Sequence, residues 1–149
     1  MTLEDIDHVV SLFVHAARVA VAAGFDGVQI HAAHGFLVSQ FLSPHTNRRT
    51  DEYGGTPYNR MEILRRLVRE LRETCPPPLC VGVKLNSADY MAVGGLQQDE
   101  ALEQVKWLVE CGMVDFVEIS GGNAEAATDK LRSKSLFVLI SHVRRPYMY

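Results

Sequence analysis

Apolar positions recur along the chain in two alternating rhythms. Ile6, Val9, Val10, Phe13, Val14, Ala17 and Val21 follow helical spacing, and Gly24 supplies a natural stop. Thr2 and Asp5 have the spacing of a capping box, which places the helix start there. A short strand is expected from Gly27 to His31. A long segment from Ala32 to Thr56 follows, rich in Ser, Thr, Asn, Gly and Asp, with a helical piece over Phe36 to Leu42. Pro57 suits the start of the next helix. Its buried stripe is Met61, Leu64, Leu67, Val68 and Leu71, and Pro76 ends it. Leu79 to Asn86 reads as a second strand. Gln98 to Cys111 reads as an amphipathic helix with Leu102, Val105, Leu108 and Val109 inward and Gly112 as the stop. Phe116 to Ser120 reads as a third strand. Strands that alternate with helices imply right-handed crossovers and a parallel sheet, an α/β fold. The pattern after Ala127 is different. Leu136 to Ile140 is an apolar run among basic residues, without a clear strand end.

Sorting each strand by parity separates two faces. Val28, Ile30, Val81, Val83, Leu85, Val117 and Ile119 make one face wholly aliphatic, fit to pack under helices. Gln29, His31, Gly82, Lys84, Asn86, Glu118 and Ser120 lie on the other. A parallel sheet covered on both sides should be apolar on both. Here the second face is polar, and its polar groups crowd the C-terminal strand ends, where α/β folds hold ligands. The pattern therefore points to a polar ligand site lined by His31 and Lys84. A solvated face or a structural Lys84–Glu118 ion pair would also account for it.

Composition narrows the class. The 149 residues suffice for one domain with a core, and 47% hydrophobic with 22% charged residues is a globular balance. A net charge of −3 leaves no footprint for nucleic acid. Arg65, Arg66, Arg69 and Arg72, interleaved with Glu62, Glu70 and Glu73, read as a solvated helix face. The three cysteines form no paired framework, which suggests a reducing compartment. No secretory leader is visible, and no run approaches the ~20 apolar residues of a membrane span. A cytoplasmic protein is expected.

The stretch from Val28 to Gly55, VQIHAAHGFLVSQFLSPHTNRRTDEYGG, resembles the NADH:flavin oxidoreductases, the old yellow enzyme family. Upstream, AARVAVAAGFDG (16–27) matches as well, and Asn59-Arg60, GVKLNS (82–87) and FVEISGG (116–122) continue the likeness, which covers roughly residues 4 to 124. The resemblance implies a (β/α)8 TIM barrel, which typically takes about 250 residues, with FMN at its C-terminal mouth. Three strands here resemble the fourth to sixth of that barrel. Residues 1–127 are thus expected to be its central part and 128–149 a divergent tail. It also implies that NAD(P)H reduces FMN and that the hydride passes to an activated alkene, an enone or enal.

The resemblance assigns roles residue by residue. His31 and His34 match the pair that hydrogen-bonds the substrate oxygen. A metal site would need more ligands than this pair offers. Lys84 matches the cation at the flavin pyrimidine edge. Ser120 and Gly121 are expected at the flavin rim. Phe36 stands where many relatives carry the tyrosine that protonates the substrate, and phenylalanine has no proton to give. Arg48, Arg49, Asp51, Tyr53, Gly54, Gly55 and Arg60 belong to a loop signature, read as structural Arg–Asp bonding with glycines at the turn. Three strands cannot close a barrel, so a truncated, non-catalytic chain without bound flavin is the alternative expectation, with open sheet edges that invite self-association. A phosphate-binding barrel fragment without flavin is a further alternative.

Overall fold

The computed structural model describes residues 1–75 and 78–124, together with the backbone of 138–140. Helix α1 (Leu3–Ala22) begins at the expected cap. Thr2 N–H donates to Asp5 Oδ2 at 2.7 Å, and Asp5 N–H donates to Thr2 Oγ1 at 3.1 Å. Gly24, at φ +84°, turns the chain into β1 (Gly27–Ala32). Helix α2 (Leu37–Leu42) follows, close to the expected helical piece. Beyond it the expected single helix is two: α3 (Pro57–Arg60) and α4 (Glu62–Thr74), separated at Met61. The expected stop, Pro76, lies outside the described residues. Strand β2 (Cys80–Asn86), helix α5 (Gln98–Glu110) and strand β3 (Phe116–Ser120) complete the alternation, and Gly112 at φ +63° turns the chain after α5.

The sheet order is β1-β2-β3-β4, with β1, β2 and β3 parallel. The fourth strand, β4 (Val138–Ile140), pairs antiparallel with β3. It falls within the apolar run of the tail, whose remaining residues are outside those described. Register aligns His31 with Lys84 and Lys84 with Glu118, so these three form one row across the sheet.

The aliphatic face is the core. Ile30, Val81, Val83, Leu85 and Val117 are buried against Leu64, Leu67, Val68 and Leu71 of α4 and Ile6, Val10 and Ala17 of α1. Helix α5 corrects the expected face. Leu102 is 54% and Val109 41% exposed, while Ala101, Gln104 and Leu108 are buried. Apolar residues lie on more than one side of α5, so their periodicity does not single out the inward one.

The arginine-rich side of α4 is a second correction. Only Arg69 among the four is about half exposed. Arg65 is buried, its guanidinium 3.7 Å from the Tyr58 ring centroid and hydrogen-bonded to the Tyr58 carbonyl and Glu62. Arg72 binds the Leu79 carbonyl and Asp115 below the sheet, and Arg66 binds Asp7 and Tyr53. These guanidiniums are held by several acceptors or by an aromatic face, which offsets their loss of water.

Candidate functional site

The polar strand face is open at β1, where Gln29 and His31 are exposed, and closes across the sheet, where Asn86 and Ser120 are buried. At its lower end the ring of Phe116 lies over Gly82, where a Cβ would come within 2.2 Å of it. Above that layer, Lys84 Nζ meets Glu118 Oε1 at 2.8 Å, and Gln29 Nε2 donates to Glu118 Oε2 at 2.8 Å. Hydrogen bonds from Lys84 and then Gln29 hold the Glu118 carboxyl below its usual range.

The histidines lie at the top of β1 and in the turn after it. Their ring centroids are 5.2 Å apart and the rings nearly perpendicular. His34 adopts φ +63°, a conformation that costs a non-glycine residue roughly 1–2 kcal/mol. It is gripped from several sides. Its N–H donates to Asn86 Oδ1 at 3.2 Å, its carbonyl accepts from Ala124 N–H at 3.1 Å, and its Nε2 lies 2.7 Å from Ser120 Oγ. Gly35 follows at φ +80°, where a Cβ would fall within 2.4 Å of Asn123 Oδ1. Ala33 N–H donates to His31 Nδ1 at 3.3 Å, so in the neutral ring the proton sits on Nε2. Partial desolvation, and after it the positive charge of Lys84, holds both imidazoles below the ordinary histidine value. Both are therefore neutral near pH 7.

The remaining expected site residues are also at the strand ends. Phe36 is 56% exposed, its ring centroid 5.0 Å from that of His31. Ser120 is buried with its hydroxyl on His34. Gly121 lies under Tyr90, whose ring a Cβ at 121 would approach to 2.6 Å. The loop signature behaves as structural bonding. Arg49 forks onto Asp51, and the buried Arg60 binds the carbonyls of Leu42 and Gly55 and the Glu100 carboxylate. Among the described residues, no group of three or more His, Cys, Asp or Glu side chains is placed to hold a metal.

Sequence reading missed Asp89. It is buried near the start of the loop after β2, and its carboxylate accepts from Ser43 Oγ (2.7 Å), Leu96 N–H (2.8 Å) and Asn86 Nδ2 (2.9 Å). Asp89 lies beyond β2, where strand parity no longer says which way a side chain points.

The site can offer hydrogen bonds and one cation to a polar ligand. It combines one cation, Lys84, with two imidazoles held below the ordinary histidine value.

Comparison with known proteins bears on this arrangement. The family model described as NADH:flavin oxidoreductase / NADH oxidase family matches residues 1–136. The NADH-dependent flavin oxidoreductase iliE of Neonectria sp. is 47% identical over 128 residues, which cover 86% of this chain and 16% of that protein. The NADPH dehydrogenase of Bacillus licheniformis is 43% identical over 122 residues, 82% of this chain and 35% of that one. Among solved structures, histamine dehydrogenase from Rhizobium sp. 4-9 superposes with a TM-score of 0.77 at 30% identity, covering 84% of this chain and 18% of that chain. A 2-naphthoyl-CoA reductase in complex with 2-naphthoyl-CoA gives 0.78 at 33% identity, covering 85% and 19%. The chain thus spans a minor share of each relative, and its fold is part of the TIM barrel of such oxidoreductases.

Proposed function

Because the chain belongs to the NADH:flavin oxidoreductase / NADH oxidase family, we propose that it supplies the substrate-activating part of an FMN-dependent oxidoreductase. That enzyme passes a hydride from NADH or NADPH, through FMN, to an activated alkene such as an enone or enal. The observation that carries the reading is the pairing of His31 with His34 at the strand ends, in the same polar face as Lys84. FMN, when bound, supplies a reversible two-electron acceptor and donor of hydride.

The chain's own residues have separable tasks. Lys84 would supply a fixed cation to a reduced flavin, whose negative charge it would stabilise, and Glu118 with Gln29 holds that cation in place. His31 donates from Nε2. Ser120 Oγ lies 2.7 Å from His34 Nε2; with the hydroxyl as donor, the neutral ring carries its proton on Nδ1, and that N–H donates as well. Two donors on one carbonyl oxygen withdraw density from the conjugated C=C, so its β-carbon accepts hydride. They also stabilise the enolate charge as it grows, an effect worth about 10²–10³ in rate per donor in comparable oxyanion sites. The α-carbon then takes its proton from water or from a donor other than Phe36, which has no hydroxyl.

The three cysteines, whose spacing forms no paired framework, support a reducing compartment, the cytoplasm. Among the described residues, no helix is long and apolar enough to cross a membrane. A second reading, a non-catalytic chain without flavin, is favoured by the edge of β1, which is unpaired among the described residues, whereas a closed barrel has no edge. Purification of the protein decides between the two. Visible flavin absorbance at one FMN per chain, with alkene-dependent oxidation of NADH or NADPH, supports the enzyme. Colourless protein with no such oxidation after FMN is added supports the second reading.

A further inference from the structure

One buried carboxylate and one buried carboxamide join the loops that follow all three parallel strands. Asp89 Oδ2 accepts from Ser43 Oγ beyond α2 and from Leu96 N–H in the approach to α5. Its Oδ1 accepts from Asn86 Nδ2 at the end of β2. The same Asn86 Nδ2 donates to the Gly122 carbonyl beyond β3 at 2.9 Å. Both partners of this nitrogen are acceptors, so the carboxamide has a single sensible orientation. That orientation aims Oδ1 at the His34 N–H, 3.2 Å away. Asn86 and Asp89 are each 1% exposed, so no solvent competes for these bonds.

We propose that Asn86 and Asp89 are a positioning pair: they hold His34 in its left-handed backbone conformation and so aim its ring, beside that of His31, at the substrate oxygen. The inference rests on the function proposed above. Neither residue touches the reacting atoms. Asp89 fixes the rotamer of Asn86, Asn86 fixes the peptide of His34, and Ser120 completes the alignment at the ring. A histidine at φ +63° whose N–H has lost its buried acceptor has reason to relax toward ordinary backbone, which swings the ring away from His31. The pair thus acts on catalysis through geometry, and its loss should appear in His34 before it appears in the rest of the fold.

The test compares Asn86→Ala, Asp89→Asn and His34→Ala in the full chain. Asp89→Asn keeps the shape of the side chain but sets an amide against the Asn86 amide, so it remains informative if Asn86→Ala does not fold. Nuclear magnetic resonance first reads the side-chain nitrogen and carbon shifts of His34. Expected is a change of His34 tautomer balance and loss of its contact with Ser120 in both folded variants, with the core methyl signals of Leu64 and Val83 unmoved. Wild-type His34 signals in both variants would overturn the proposal. In the flavin-loaded protein, KM for a simple cyclic enone should rise at least about tenfold in Asn86→Ala. It should rise no further when Asn86→Ala is added to His34→Ala. Full additivity of the two substitutions would also overturn it. If wild-type protein shows no alkene reduction, the functional reading fails, while the resonance arm still reports whether the pair positions His34.

Discussion

Lys84 sets the charge of its neighbours as well as its own role. Its cation adds to desolvation in holding His31 and His34 below the ordinary value of 6.5. Lys84→Gln should therefore raise the titration midpoints of both rings, read from their proton resonances; unmoved midpoints would remove Lys84 from the electrostatics. Folding stability follows with a definite sign. The unfolded histidines take up protons first as pH falls, so the native state keeps its full advantage above about 6.5 and loses it as pH drops through the lower folded values. The urea midpoint should decline over that window in the wild type and less so in Lys84→Gln. Glu118 acts in a lower window: its stabilisation is present above the usual carboxylate value of 4.5 and is lost as pH falls below it. At position 36, Phe36→Tyr supplies the missing proton donor beside His31 and should raise kcat for alkene reduction; no change would place proton delivery elsewhere. His31, Lys84 and Ser120 were legible because strand parity puts them on one face, and His34 because of the motif around it. The hold of Asn86 and Asp89 on the site was not, because Asp89 bonds Ser43, 46 residues away, and Asn86 bonds His34, 52 away. Such partners are set by tertiary structure alone.

Among the elements, α4 is the main support under the site. Its Leu64, Leu67 and Val68 are fully buried and press on the aliphatic backs of the strands. Leu64→Ala should cost about 2–5 kcal/mol, measured by denaturant unfolding. At Gly82 the neighbouring Phe116 ring leaves no room for a methyl group. Gly82→Ala should shift β2 against β3, lower the unfolding midpoint and loosen the Gln29–Glu118–Lys84 row above it. The strands and most helix ends could be read from the sequence, since caps, glycines and alternation act locally. The inward face of α5 and the burial of Arg65 could not. Leu102 and Val109 are as apolar as Leu108, and the partners of Arg65 are an aromatic ring and a carbonyl whose approach depends on the packed structure.

On the scale of the whole molecule, the sheet offers its C-terminal ends as a site and its β1 edge as an opening. Exposed Val19, Val21 and Phe25 lie on α1 and in the turn before β1. We expect the 149-residue chain to self-associate through that edge as concentration rises, seen as an increasing mass in sedimentation; a monomer at all concentrations would mean the edge is protected. At the site, we propose that the His31–His34 pair activates an alkene for a flavin held near Lys84. The most direct test is rapid mixing of the reduced, flavin-loaded protein with an enone, comparing wild type with the His31→Ala, His34→Ala double variant. Alkene-dependent reoxidation of the flavin should be fast in the wild type. In the variant it should be slowed by at least about 10²-fold at unchanged flavin content. Equal reoxidation rates in the two proteins would contradict it.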